Sequence, residues 1–200
     1  MLKNEGKLLP LDPKAKVAVL GPHFNSTVEF QSIYFGENKH VLRQSPLAAF
    51  KRRGVNVVGS AMGCDYTWCN TTEGFAEAVA AAKAADVAVV FIGLWLQENE
   101  GWDRIELRAP GLQENLVQAI FAANPRTVVV CINGGGLAVE WTYATVPAVV
   151  EGFCKRSPLS ASFVLLCLTR LGRLQILGRP EAMPSRRSSL AMSRRWAGSR

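Results

Sequence analysis

The stretch TTEGFAEAVAAAKAADVAVVFIGL, residues 71–94, joins a helix pattern to a strand pattern without a break. Its first part is rich in alanine and places Phe75, Val79 and Ala82 on one side of a helix. Residues 87–94 are continuously apolar, which is typical of a parallel strand buried on both faces. A helix that leads directly into such a strand is half of a strand–helix–strand unit, so the stretch predicts an α/β fold.

The same alternation continues on both sides of this stretch. We predict further strands at residues 16–22, 55–60, 127–134 and 148–153, and further helices at residues 45–54, 109–125 and 136–146. Short connections between alternating strands and helices predict a doubly wound, mostly parallel sheet, a flavodoxin-like sandwich with right-handed crossovers. Ligands of such sheets bind beyond the carboxyl ends of the strands.

The segment that follows the central apolar strand places acids beside tryptophans. In GLWLQENEGWDRIELRAPG, residues 93–111, Glu98 and Glu100 lie between Trp95 and Trp102. A carboxyl group near an indole ring can have a raised pKa and act as a general acid, and an indole ring can stack on a sugar. The alternative is a solvated acidic loop that only caps a helix. Because the segment begins at the predicted end of a strand, its position agrees with a sugar-binding site.

The formal net charge of +7 would suggest an anionic partner, but the charge is unevenly distributed. From residue 154 onward there are ten basic residues and one acidic residue, so this tail holds +9 and residues 1–153 hold −2. The tail has no RNA-binding signature and its apolar run is too short to span a bilayer, so we predict no nucleic-acid partner and no membrane partner. The opening MLKNEGKLLPL lacks the apolar core of a secretory signal peptide.

Cysteine and asparagine motifs indicate whether the protein is secreted. Cys64 and Cys69 lie five residues apart in a loop-like stretch, which allows either a local disulfide or two reduced thiols. Asn25 and Asn70 each begin an Asn-x-Ser/Thr sequon for N-glycosylation in a predicted loop. Two sequons together with a possible disulfide favour a secreted origin.

The remaining motifs are weaker. Gly134–Gly136 could cradle a phosphate at a strand-to-helix turn, but the dinucleotide-binding spacing is incomplete, which favours a tight turn that needs small residues. We interpret His23 and His40 as surface or loop histidines. The cysteines and histidines do not form a metal-ligand pattern, so we predict no metal and no cofactor.

Three stretches together resemble the second, α/β sandwich domain of glycoside hydrolase family 3 enzymes. They are LKNEGKLLPLDPKAKVAVLGPHFNST at residues 2–27, GFAEAVAAAKAADVAVVFIGL with the later EGWDRIELRAPGLQENLVQAI, and NGGGLAVEWTYATVPAVVEGF at residues 133–153. The order Glu-Gly-x-Asp-Arg…Pro-Gly-x-Gln is fairly specific. Within the family, the cysteine loop and GPHFNST look most like eukaryotic β-xylosidases and β-glucosidases.

The resemblance implies a secreted, retaining hydrolase of β-glucosides or β-xylosides that acts in polysaccharide breakdown on β-linked oligosaccharides or aryl glycosides. In that family an Asp nucleophile lies on a TIM barrel ahead of this domain, and a glutamate of the acidic loop is the acid and then the base. Carried onto this chain, the acid/base residue is Glu100, with Glu98 as the alternate. Asp103 and Arg104 are expected to hold the loop in shape through a charge-assisted pair.

We therefore divide the chain into a linker from a missing barrel (residues 1–15), an α/β domain (residues 16–153) and a disordered basic tail (residues 154–200). Cys154-Lys155 can be encoded with a splice donor and Leu174-Gln175 with an acceptor, and a shifted frame after Arg179 permits the family's usual continuation. We expect a retained intron, a frameshift, and a gene model that is short at both ends. The sandwich would then be incomplete at its C-terminus and expose an apolar sheet edge.

Without a barrel the chain has no nucleophile, so we expect it to be inactive as a glycosidase by itself. Two other functions stay open from the sequence. One is a non-catalytic carbohydrate-binding or scaffold domain that has lost its barrel. The other is a nucleotide-binding module that uses Gly134–Gly136.

Overall fold

A six-stranded sheet forms the centre of the computed structural model, which describes residues 1–27, 44–94, 104–153 and Leu168. The strands are β1 Lys3–Asn4, β2 Val17–Leu20, β3 Val57–Ala61, β4 Val87–Gly93, β5 Thr127–Asn133 and β6 Ala148–Phe153. Their order across the sheet is β1-β6-β5-β4-β2-β3. Strands β2 to β6 run parallel, and β1 pairs antiparallel with β6.

The chain winds in both directions from β2, which confirms the doubly wound, mostly parallel sheet. Strand β3 lies on one side of β2, and β4, β5 and β6 follow on the other. The winding direction therefore reverses between β2 and β4. In open α/β sheets the crevice beyond the carboxyl ends of two such strands is where ligands bind. The acidic segment of the sequence begins at the end of one of them, β4.

In the part of the chain that the structure describes, four α-helices connect the strands, each inside a range predicted from the sequence: α1 Pro46–Arg52, α2 Phe75–Lys83, α3 Gln113–Ala123 and α4 Glu140–Thr145. Ser45 precedes α1 and caps it: its hydroxyl oxygen accepts a hydrogen bond of 3.1 Å from the Ala48 N–H. Within the described ranges no helix has the length and apolar character that a bilayer crossing demands.

The sheet is covered on both faces. One face packs under α1 and the N-terminal segment, around Phe50, Leu9 and Leu11. The other packs under α2, α3 and α4, around Leu116 and Ile120. Every residue of β4 and β5 is buried, as their uninterrupted apolar runs predict. Complete burial of each Val or Ile there stabilises the fold by roughly 1.5–3 kcal/mol.

The first fifteen residues, predicted as a linker, pack against the sheet of the α/β domain. Strand β1 lies along β6, and the Asn4 side chain closes the following turn with two hydrogen bonds of 2.9 Å to the Leu9 backbone. Leu9 and Leu11 are buried in the core. The Lys3 ammonium donates to the Tyr143 carbonyl at 2.9 Å, near the C-terminal end of α4 where cations are favoured. A two-residue antiparallel strand has no periodicity from which it could be predicted.

Of the basic tail, only Leu168 is among the described residues. Leu168 is fully buried, and its carbonyl accepts a hydrogen bond of 2.8 Å from the Leu11 N–H. It packs in the same core cluster as Leu9 and Val150. The prediction of a disordered tail otherwise falls outside the described residues.

Candidate active-site edge

The carboxyl ends of the parallel strands form one edge of the sheet, which we call the functional edge. It is defined by Gly21 after β2, Gly93 at the end of β4, Asn133 at the end of β5 and Phe153 at the end of β6. The acidic segment leaves the sheet here. Its residues Trp95, Glu98, Glu100, Trp102 and Asp103 lie outside the described residues, so their roles stay predictions. Both ends of the segment are described.

The segment starts from a backbone position that only glycine fits. Gly93 has φ +147°, in the region that residues with side chains rarely adopt. A Cβ atom placed on Gly93 would lie 1.9 Å from the carbonyl oxygen of Ile132 on β5. The neighbouring backbone therefore fixes where β4 stops and where the acidic segment begins.

A buried side chain holds Gly93 from the far end of the segment. Gln113, the first residue of α3, is fully buried. Its Oε1 accepts from the Gly93 N–H at 2.8 Å, and its Nε2 donates to the Gly93 carbonyl at 2.9 Å. The same Nε2 donates to the Thr67 carbonyl at 2.6 Å. Sequence reasoning missed this role, because a lone Gln at the start of a helix gives no sign of burial.

Thr67 lies in a loop closed by a disulfide. Of the two states that the sequence left open for Cys64 and Cys69, the structure has the disulfide. The loop packs directly against the start of α3: the Cys69 carbonyl accepts from the Leu112 N–H at 2.8 Å, and a Cβ on Gly111 would lie 2.0 Å from the Trp68 carbonyl oxygen. The disulfide loop thus supports the residues to which the acidic segment returns.

The acidic segment has a second support in the turn formed by Gly134–Gly136 after β5, which we call the glycine turn. The Arg104 guanidinium donates to the Gly136 carbonyl at 2.5 Å, and the Ala138 N–H donates to the Leu107 carbonyl at 2.7 Å. These contacts dock the end of the acidic segment onto the turn. The predicted pair of Arg104 with Asp103 involves a residue outside the described ranges and stays a prediction. Helix α4 begins only at Glu140, so the glycines precede an irregular stretch instead of opening a helix that could cradle a phosphate.

Polar groups that the sequence did not single out lie next to the glycine turn. Asn133 is fully buried, and its Nδ2 donates to the Glu151 carboxylate at 2.9 Å and to the Gly135 carbonyl at 2.8 Å. The Glu114 carboxylate accepts from both the N–H and the hydroxyl of Thr142 at 3.0 Å. These bonds tie β5 to β6, and separately α3 to α4, beneath the functional edge.

Two further titratable residues are buried. His23 lies in the loop after β2 and is fully buried, so its interpretation as a surface histidine is wrong. Its backbone N–H donates to the Phe91 carbonyl at 3.2 Å. Burial, with the Glu151 and Glu114 carboxylates nearby, raises the pKa of the Cys131 thiol to about 12. Cys131 therefore keeps its proton at neutral pH and offers no thiolate for catalysis or metal binding.

The described ranges hold no cluster of three or more metal-ligating side chains. The fold and the edge instead define an α/β sandwich domain with one acidic, tryptophan-containing segment braced at both ends. The chain belongs to glycoside hydrolase family 3: residues 1–157 match the family described as "Glycosyl hydrolase family 3 C-terminal domain". The resemblance seen in the sequence is confirmed.

Similar proteins with curated names are β-xylosidases. The chain is 36% identical over 147 residues to "Probable beta-D-xylosidase 6" of Arabidopsis thaliana, covering 72% of this chain and 18% of that protein. It is 35% identical over 162 residues to "Beta-xylosidase" of Formosa agariphila, covering 76% of this chain and 22% of that protein. The chain thus spans about a fifth of the length of these relatives.

Solved structures agree with the sequence relatives. A GH3 exo-β-xylosidase (XlnD) in complex with a xylobiose aziridine probe superposes with a TM-score of 0.70 at 33% identity, covering 80% of this chain and 21% of that one. A GH3 β-glucosidase of Bifidobacterium adolescentis gives 0.65 at 33% identity, covering 76% and 22%. Both relatives share the sandwich but extend well beyond it.

Proposed function

We propose that this domain supplies the acid/base glutamate of a retaining β-glycosidase that acts on β-xylosides or β-glucosides in carbohydrate breakdown. The observation that carries the proposal is the position of the acidic segment. It leaves β4 beside the point where the sheet reverses its winding, and Gln113 and Arg104 brace its two ends. Membership of the family and the names of the relatives support the same activity.

The chemistry divides between this domain and a second one. Retention needs a nucleophilic carboxylate and an acid/base carboxyl about 5–5.5 Å apart on either side of the glycosidic bond. Glu100, or Glu98, would donate a proton to the leaving oxygen and later take one from water. A neighbouring indole, from Trp95 or Trp102, would raise the pKa of that glutamate by excluding water, and would also offer a stacking surface to the sugar.

Two exposed apolar side chains support a partner domain at this edge. Ile105 is fully exposed and Leu107 is 65% exposed, in the C-terminal part of the acidic segment. Neighbouring exposed aliphatic side chains at a functional edge are typical of a surface that another domain covers. We infer that a TIM barrel carrying the nucleophile is that domain.

The test compares the chain alone with a hybrid enzyme. In the hybrid enzyme, residues 1–153 replace the matching segment of the Formosa agariphila relative, so that relative's own chain continues on both sides. We expect the purified chain to release no 4-nitrophenol from its aryl β-xyloside or β-glucoside above the blank, and the hybrid enzyme to release it from at least one of them.

Hydrolysis by the isolated chain would contradict a divided active site. A folded hybrid enzyme without activity, alongside an active parent relative, would contradict the proposal itself. If the chain then bound a β-linked oligosaccharide in calorimetry, the non-catalytic carbohydrate-binding function would replace it.

We also propose that the protein is secreted. The Cys64–Cys69 disulfide is typical of oxidising compartments, and both sequon asparagines, Asn25 and Asn70, are exposed. Expression through the secretory pathway of a eukaryotic host should add a glycan to the peptide that contains Asn70, detected by mass and absent in Asn70→Gln. The Asn25→Gln variant reports separately on the other sequon. Unmodified asparagines at both positions of a secreted product would count against the proposal.

A further inference from the structure

We infer that Gln113 is a positioning residue for the acid/base segment: its buried carboxamide joins the start of that segment to its end and to the disulfide loop. The inference rests on the proposed function, because a positioning role requires that the segment between Gly93 and Gln113 carries the proton donor.

The geometry of Gln113 is that of a clasp. Gly93 is the last residue of β4 and Gln113 the first residue of α3, so the acidic segment lies between them in sequence. One carboxamide bonds both the N–H and the carbonyl of Gly93, at 2.8 and 2.9 Å. The two ends of the segment are therefore held together by one side chain, independently of the residues between them.

The clasp is itself fixed from the side. The Gln113 Nε2 donates its other hydrogen bond, of 2.6 Å, to the carbonyl of Thr67 inside the disulfide loop. Thr67 is buried, and the neighbouring Cys69 carbonyl holds the Leu112 N–H at 2.8 Å. Since both amide donors and an acceptor position are used, the carboxamide has one orientation in which all its bonds form.

The chemistry of the side chain is specific. The site presents one N–H and two carbonyl oxygens, which an amide matches with one acceptor and two donors. A Glu would bring a carboxylate against two carbonyl oxygens, and a Met of similar length would leave all three backbone groups buried without partners. Of these three side chains, only that of Gln offers the one acceptor and two donors that match the three backbone groups.

The chain provides a matched control in Asn124, at the other end of the same helix. Asn124 is also buried and also makes three hydrogen bonds: its Nδ2 donates to the Ala82 and Ala85 carbonyls at 2.9 and 3.0 Å, and its Oδ1 accepts from the Arg126 N–H at 3.0 Å. It lies at the opposite edge of the sheet from the acidic segment. Gln113→Met and Asn124→Leu thus each remove three side-chain hydrogen bonds of a buried amide, at opposite ends of one helix.

Amide hydrogen exchange of the 200-residue chain tests the clasp. The reporters are the N–H groups of Leu94 and Leu112, which bond to Ile132 and Cys69 and not to Gln113. In Gln113→Met we expect both to exchange at least about tenfold faster relative to the amides of Val129 and Val130 in β5. In Asn124→Leu the reporters and the β5 amides should change by the same factor. Equal factors in both variants would overturn the inference.

The hybrid enzyme tests the consequence for catalysis. We expect Gln113→Met to lower kcat about 10–100-fold for a glycoside whose leaving group needs a proton, with a smaller loss for an activated aryl glycoside and little change in KM. A loss that is equal for both substrates and equal to that of Asn124→Leu would show only structural damage and overturn the positioning role. If variants of both Glu98 and Glu100 stay active, the proposed function fails, and the exchange result distinguishes that failure from failure of the clasp.

Discussion

In the hybrid enzyme, Glu100→Gln is expected to lower kcat/KM for an alkyl β-xyloside by roughly 10²–10⁴-fold. A glutamine of the same shape cannot protonate the glycosidic oxygen, so a poor leaving group must depart as an alkoxide. The aryl group of an activated aryl glycoside leaves as a stable phenolate without a proton, so the glycosylation step should be nearly unaffected and only the water-dependent second step should slow. Added azide needs no general base and should restore turnover by forming a glycosyl azide.

Glu98→Gln is the matched control, because it makes the same change two residues away in the same acidic segment. We expect it to lower the rate by less than about tenfold on both substrates, the scale of a lost positioning contact. The measurement is kcat/KM over a series of leaving groups. A steep dependence on leaving group in Glu98→Gln, with none in Glu100→Gln, would move the acid/base assignment to Glu98. A flat dependence in both variants would remove the acid/base role from this segment.

Gly93→Ala is expected to destabilise the domain by more than about 4 kcal/mol, the range reserved for severe backbone or packing conflicts. The added Cβ would meet the Ile132 carbonyl oxygen at 1.9 Å, inside the β4–β5 pairing, and no rotation of a side chain relieves a contact between backbone atoms. The strained φ of +147° adds to this cost. Loss of soluble protein, or of a cooperative urea transition, is the expected observation.

The Gly54→Ala variant separates the steric contact of the added Cβ from the strain of a positive φ. Gly54 has φ +71° after α1, but a Cβ there has no atom within 4 Å. This variant should cost only about 1 kcal/mol, the conformational strain of a left-handed residue with a side chain. Urea unfolding of the two variants gives the comparison. Similar losses in both would mean that β4 can shift away from β5, and that the strand end is not fixed as described.

The fold was largely predictable because continuous apolar runs identify the strands and apolar residues on one side identify the helices. Strands such as β4 and β5 are buried on both faces, so their apolar runs identify them almost to the residue. Helix ends were predicted too generously: α2 begins at Phe75 and not at Thr71. The preceding Gly74 packs against the Gly63 backbone, where a Cβ would lie at 2.8 Å. That contact joins distant parts of the chain and leaves no local signal.

The site was predictable only in part, for a related reason. Glu98 and Glu100, the acids proposed to carry the chemistry, attract attention by their neighbours in sequence. Gln113 bonds the Thr67 carbonyl and Asn133 bonds the Glu151 carboxylate, partners that are distant in sequence, so only the folded arrangement identifies these contacts. A buried polar residue looks like any surface residue until its partners are known.

The antiparallel pairing of β1 with β6 has a consequence for how a partner reaches the acidic segment. Strand β6 ends at the functional edge, and β1 runs the opposite way, so the amino end of β1 points toward that edge. A polypeptide joined ahead of Met1 would therefore extend toward the edge from which the segment leaves β4, with β6 and β5 between β1 and β4. Such tethering holds two parts at effective concentrations on the order of millimolar. Covalent connection alone could then keep an active site assembled whose two halves adhere only weakly.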